Sequence, residues 1–350
     1  MSINDKVKDR ILEQSIELQQ LEASTKKKVV KKIQALEKKL IAIFLNSDLW
    51  SSQKKQIMQA RLALLFKNAK DLIKQTYDSI SLEQTGLLAA LAALVEKQSI
   101  NNINISLGTK YTQTQITKAK LNEISKALIE GASPSEWWKR RGEAFNNKFK
   151  DTVRDGVSKN LGGMEIARNL TGNKRLRKRN GAFAGNYRSA ELLVRTSIHS
   201  IANEARVATF ENNDDIILGI EWVSTLDART TIICKALDGL IWDINTKKPI
   251  GHNKAYPGSS AHWGCRSAQV PVIKKYDNSM KKLSSETRAS MDGQVSANLD
   301  YEEWLKTKPT DFQKKTLGAK RYELWNDGKI DFSDLTNQNN KPLRLDQLKV

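Results

Sequence analysis

The first proline of this 350-residue chain is Pro134. Proline inside a helix removes a hydrogen bond and clashes with the preceding turn, so its absence leaves helix length to the apolar pattern. That pattern is regular. Val7, Ile11, Leu12, Ile16, Leu18 and Leu21, then Val29, Ile33, Leu36, Leu40 and Phe44, recur at short intervals with Lys and Glu filling the other faces. Such spacing is the mark of amphipathic helices. The stretch from Asn46 to Ile80 repeats it, with Ser51 or Ser52 as N-cap. The Asn-rich segment Ile100–Gln113 reads as a loop or turn. Residues 1–133 are therefore expected to form long helices, either as a packed bundle or as an arm that docks on a partner. No repeat of solenoid period is present.

Charge narrows the partners. Lys and Arg number 58 against 39 Asp and Glu, for a net +19. An excess of this size favours a polyanion: nucleic acid, an anionic membrane or an acidic protein. Two cysteines are too few for a secreted disulfide framework. The polar, periodic N-terminus lacks the layout of a signal peptide. The most apolar run, Thr85–Lys97, falls short of the ~18–20 residues of a spanning helix. These features predict a chain made in a reducing cytoplasm, with no membrane partner.

Residues 134–189 read as a basic helical segment. From Trp137 to Asn180 there are 13 Lys and Arg but 4 Asp and Glu. Two helices joined at Gly162-Gly163, the second ending near Gly172, have the outline of a helix-turn-helix, an outline shared by any two helices joined through Gly-Gly. Lys174, Arg175, Arg177, Lys178 and Arg179 put five positive charges in six positions, the best candidate for nucleic-acid contact.

Residues 190–275 change character. A helix with Leu192, Val194, Ile198, Ile201, Ala202 and Ala205 on one face leads into three short β-like segments, Gly219–Ser224, Gly239–Ile244 and Ala268–Ile273. Pro271 places the last at an edge or bulge. Residues 276–350 read as a helical extension broken at Gly318 and Gly328. The expected class is mainly α with a small α+β domain: long N-terminal helices, a helix packed on a short antiparallel sheet, then helical pieces.

The candidate chemistry lies around that sheet. Cys234, His262 and Cys265 supply three side chains of the kind that bind zinc, and H-x-x-C spacing lets His262 and Cys265 turn to one ion. His252, His199, Asp238 or a water are candidates for a fourth ligand. The alternatives are unliganded thiols, with Cys234 a small buried residue, and a Cys234–Cys265 disulfide. Two catalytic readings also stand: a Cys–His nucleophile, and a metal-dependent nuclease pairing His262 with Asp227 or Asp238. Asp227 and Arg229 flank a turn after a strand, and Asp238-Gly239 is a turn dipeptide. Arg195, Arg229 and Arg266 are expected to brace these turns through carboxylates.

Taken in order, the motifs form a pattern: Arg195-Thr196 on a helix and Trp222 on a strand; Asp227, Arg229 and Thr230 with Cys234 after them; Leu237-Asp238-Gly239; a loop with Pro257; and a closing His262/Cys265-Arg266. This resembles the Mu F-like head morphogenesis family of tailed-phage minor head proteins, over roughly residues 150–335. The N-terminal helices match no motif. The resemblance implies a minor virion protein without catalysis, joining the assembling head near the portal. Its implied partners are the portal protein, capsid or scaffold protein, and double-stranded DNA bound without sequence preference. Its implied location is the capsid interior or portal region, after assembly in the host cytoplasm. A metal-dependent nuclease and a DNA-binding regulator using the helix-turn-helix are the other function classes. Thr231 and Ser267 stand where many members have cysteine. A four-cysteine zinc site is thus halved, and either His262 and another ligand complete it or the metal is lost.

Overall fold

The structure is a computed structural model and describes residues 3–49, 55–108, 115–173, 180–274, 287–296 and 299–348. Two long helices open it, α1 (Ile3–Leu45) and α2 (Lys55–Leu107). The proposed caps Ser51 and Ser52 lie outside the described residues. On α1 the buried positions Val7, Ile11, Leu18, Val29, Ile33, Leu36, Leu40 and Phe44 fall on the expected stripe. Ser15, Glu22 and Thr25 are buried on the same stripe. Glu22 is satisfied there by Lys26 at 2.7 Å and Arg195 at 2.8 Å.

Helix α2 corrects two expectations. It runs to Leu107, so Ile100–Leu107 is helix rather than loop. Ile103 is fully buried and Leu107 packs beside it against the sheet core, and this burial outweighs the poor helix propensity of the asparagines. It is also, among the described residues, a helix long and apolar enough to cross a membrane by length and composition, with 33% of its most apolar window buried. The apolar run is longer than Thr85–Lys97 alone because a helical window tolerates a charged residue or two.

Four further helices precede the sheet. They are α3 (Lys118–Ile124), α4 (Pro134–Ser158), α5 (Gly163–Thr171) and α6 (Ala184–Glu211). Thr117 caps α3, and Ser133 caps α4 with Pro134 in its first turn, where a missing N–H costs nothing. Gly172, at φ 79°, ends α5 where the sequence places its end.

The chain divides into two compact units. A helical unit comprises Leu21–Leu87 and Leu128–Arg195, and a sheet unit comprises Met1–Gln20, Leu88–Ala127 and Thr196–Val350. In the helical unit Tyr77 of α2 packs on Trp138 and Phe145 of α4, and its hydroxyl donates to Asn186 Oδ1 at 2.8 Å. The neighbouring Trp137 is half-buried and donates its indole N–H to the Ile129 carbonyl at 2.7 Å.

In the sheet unit, strands β1 (Ile217–Val223), β2 (Ile241–Asp243), β3 (Pro249–Ile250) and β4 (Ala268–Ile273) form one antiparallel sheet in the order β3-β2-β1-β4. Pro271 therefore sits on an edge strand, as its missing N–H requires, and Pro249 on the opposite edge. Val7, Ile11, Ile103, Val207 and Phe210 from three helices cover Ile217, Ile220, Val223 and Val270. Between β1 and β2 lies the short helix α7 (Ile232–Leu237).

After the sheet come a hairpin, β5 (Thr287–Ser290) with β6 (Gly293–Ser296), and helices α8 (Tyr301–Lys306), α9 (Thr310–Leu317) and α10 (Ala319–Asn326). Gly318 and Gly328 make the expected breaks. The extension buries Tyr301, Trp304, Trp325 and Phe332 against Leu226 and Ala236. It is part of the sheet unit's core rather than an appendage.

Candidate metal centre

The site is built from one helix start and one tight loop. Thr231 caps α7 and accepts the Cys234 N–H at 3.4 Å, which sets Cys234 in the first turn of the helix. In the loop, the Cys265 N–H donates to the His262 carbonyl at 3.1 Å, and Gly264 adopts φ 80°. That turn folds His262 and Cys265 to one side. The Gly264 N–H is held by Thr196 Oγ1 at 2.9 Å, which gives Thr196 its role.

The three side chains converge. Cys234 Sγ lies 3.6 Å from Cys265 Sγ and 3.1 Å from His262 Nε2, and all three ligand atoms lie within 4.8 Å of one another. Tetrahedral zinc with bonds of about 2.3 Å to sulfur separates two thiolates by about 3.8 Å, so the observed gap fits an ion between them. Both cysteines are free and buried, and 3.6 Å is well beyond a sulfur–sulfur bond of about 2.05 Å, so the disulfide alternative does not hold. His262 Nδ1 contacts the Trp263 carbonyl at 2.9 Å. A carbonyl only accepts, so Nδ1 carries the proton and Nε2 turns its lone pair to the cysteines, as metal-binding histidines do.

The electrostatics agree. A hydrogen bond from the Cys234 thiol holds the Cys265 thiol well below its ordinary value, with His262 adding to the effect. Burial pushes Cys234 up. Burial also opposes a charge on His262, but its bond and attraction to Cys265 outweigh that and raise it. The pocket thus favours negative charge on the Cys265 sulfur and opposes it on Cys234.

The expected fourth ligands do not join the group. His252 Nε2 meets the Ile241 carbonyl at 2.8 Å, and its Nδ1 accepts from the Lys254 N–H at 3.1 Å. His199 is buried on α6 outside the cluster. Asp238 is engaged elsewhere. Thr231 Oγ1 also lies 2.8 Å from His262 Nε2. The residues present therefore fit a metal through three protein ligands. No carboxylate joins them among the described residues.

Those two acids hold the frame. Arg266 grips Asp227 with two bonds, 2.7 and 2.9 Å, while the Arg229 N–H at 2.9 Å and the Thr230 hydroxyl at 3.2 Å close the turn. Burial would raise the Asp227 pKa, but Arg266 overrides it and the carboxyl stays below its usual value. Asp238 accepts from the Ser224 N–H at 2.5 Å, the Tyr301 N–H at 2.7 Å, and Arg288 at 2.8 and 3.1 Å. Ser224 in turn donates its hydroxyl to the Cys234 carbonyl at 2.7 Å. Gly239 follows at φ 77°, a value that favours glycine.

Two of the expected arginine braces differ. The Arg229 side chain is 75% exposed and only 3.5 Å from Asp227, so its backbone rather than its guanidinium closes the turn. Arg195 pairs with Glu22, joining α6 to α1 within the helical unit rather than bracing a turn. Trp222 is fully buried on β1 beside Cys234 and Cys265. Arg288, Tyr301 and Ser224 were missed in the sequence. Arg288 sits in a short hairpin with no apolar period to mark it, while Tyr301 follows the capping box Asp300–Glu303, which marks a helix start but not a partner. The basic stretch Lys174, Arg175, Arg177, Lys178 and Arg179 lies outside the described residues.

Neither a curated protein nor a solved structure matches the chain significantly. Residues 147–270, which contain Cys234, His262, Cys265 and the Asp227–Arg266 pair, match the family described as Phage Mu protein F like protein. Over this segment, about a third of its length, the chain is similar to the Mu F-like phage head proteins.

Proposed function

We propose that this chain is a non-catalytic minor component of the phage head. It joins the assembling particle at the portal and inner capsid or scaffold through helical surfaces, and it contacts packaged double-stranded DNA without reading its sequence. The family match over residues 147–270 carries this reading. Charge supports the DNA contact: the helical unit holds 28 Lys and Arg against 13 Asp and Glu, or +15 of the chain's +19. Lysines and arginines that neutralise phosphates release counterions, and this suits binding to any duplex. The segment Trp137–Asn180 is the assigned DNA-facing part.

The metal is proposed to be zinc, held by Cys234 and Cys265 as thiolates and by His262 through Nε2. There it would supply a crosslink between α7 and the loop that follows β3, and no reaction. Mass spectrometry of purified proheads and virions tests the main reading. The protein should be found in one or both; its absence from both sinks the proposal.

A further inference from the structure

The outer face of α1 within the helical unit carries Lys27, Lys28, Lys31, Lys38 and Lys39, all exposed. Between Ala23 and Ala42 every other exposed position on this helix is Ala, Ser or Gln, and none is acidic. Lys26 and Lys32, which are turned inward, pair with Glu22 and Glu83. The five outward lysines form no ion pair among the described residues. The exposed face of α4 differs: there Lys139, Arg140, Lys148 and Arg154 alternate with Glu143, Asp151 and Asp155.

An unneutralised row of like charge on one helix face costs stability through self-repulsion, which a counter-charge from outside would relieve. The row spans about 18 Å from Lys27 to Lys39 at the helical rise. Duplex DNA presents a phosphate charge about every 1.7 Å of its axis, so a row of that length faces several phosphates at once. Lysine is a point charge without the planar fork that reads guanine, which suits contact with the backbone alone.

Lys38, with Gln34, Glu37 and Ile41, lines a cleft of about 510 Å³ that Thr171 and Tyr187 also line. Thr171 ends α5, and two residues later the Asn173 N–H donates to Asn180 Oδ1 at 2.8 Å.

We propose that the outer face of α1, through Lys27, Lys28, Lys31, Lys38 and Lys39, is a second phosphate-contact surface for double-stranded DNA. It rests on the reading that the chain meets DNA. The test uses the full chain and a labelled random-sequence duplex, with affinity measured by fluorescence anisotropy across a salt series. Three five-site Lys/Arg→Gln variants are compared: one at 27, 28, 31, 38 and 39; one at 174, 175, 177, 178 and 179; and a control of equal charge change at the exposed Lys118, Lys126, Lys248, Lys315 and Lys341 of the sheet unit.

Glutamine keeps helix propensity, so circular dichroism should match wild type in each variant. The α1 variant should bind at least tenfold more weakly than the control near 150 mM salt, and its log–log salt slope should fall by up to about four. An α1 variant that matches the control, in a protein whose wild type binds duplex, overturns this proposal alone. A wild type with no salt-dependent duplex binding overturns the underlying DNA reading together with it.

Discussion

The ring of His262 points Nδ1 at the carbonyl of Trp263, 2.9 Å away, and so turns Nε2 toward Cys234 Sγ at 3.1 Å. One backbone acceptor thus selects the tautomer that can bind a metal. The chain neighbour that fixes the ring belongs to the same tight turn that brings Cys265 into place, so local geometry prepares the site before any ion arrives.

From this arrangement, the purified protein should carry close to one equivalent of zinc, read by inductively coupled plasma mass spectrometry. Cys265→Ser or His262→Ala should weaken zinc at least tenfold and lower the melting temperature of the holo-protein. Thr231→Cys should do the reverse and tighten zinc, because Thr231 Oγ1 already lies 2.8 Å from His262 Nε2 and a thiol there adds a fourth ligand. Equal zinc affinity in wild type and Thr231→Cys would exclude position 231 as a ligand position.

The pair Asp238–Arg288 is buried, with both side chains only 2% exposed. Removing one partner strands the other charge in the interior, a loss of about 3–5 kcal/mol. Arg288→Met should therefore shift the urea midpoint far more than Arg229→Met, whose side chain is largely in solvent. Similar shifts for the two would contradict the buried-pair account.

Lys235 is buried, donates to the Thr316 carbonyl at 3.0 Å and sits over the Tyr301 ring. Burial pulls its pKa down from 10.5 to about 8, with Asp227 opposing. The sign follows from proton binding. Between pH 8 and 10.5 the unfolded chain holds more protons, so stability from this group rises with pH there. Below pH 8 both states are protonated and the penalty is constant. Its full size is about 3 kcal/mol. In urea melts from pH 7 to 10.5, wild type should gain stability relative to Lys235→Met as pH rises, and a constant difference would refute the shift.

Gly181 approaches the end of α5 so closely that an added Cβ would lie 2.3 Å from the Gly172 nitrogen and 2.4 Å from the Thr171 carbonyl carbon. These are backbone atoms and cannot turn aside. Gly181→Ala should destabilise the helical unit by about 1–3 kcal/mol, while Gly185→Ala, where a Cβ meets nothing, should be near neutral. Equal midpoints in urea would mean that the backbone at Thr171–Gly172 yields freely.

Much of this was legible in the sequence. The three- and four-residue spacing of Val29, Ile33, Leu36, Leu40 and Phe44 predicted a helix face, and the absence of proline before Pro134 predicted its length. Pro271 predicted an edge strand, and Gly172 the end of α5. H-x-x-C predicted that His262 and Cys265 share a turn. The extent of α2 was hidden because Asn101, Asn102 and Asn104 carry a loop signal, and the burial that overrides it comes from the sheet. Glu22, Ser15 and Thr25 looked like surface because polarity alone does not reveal a partner such as Arg195.

What the sequence determined by itself are properties set within a few residues: periods, caps, breaks, net charge, and the side-chain types able to bind a metal. What the tertiary structure decided is which distant groups meet. It placed Cys234 against a loop almost thirty residues on, gave Asp238 its partner in Arg288, and left the five α1 lysines on a face without acids. Hydrogen bonds and periods along the chain are local and can be counted along it. A buried charge's partner is chosen by packing, where the cost of leaving that charge unpaired exceeds any local preference.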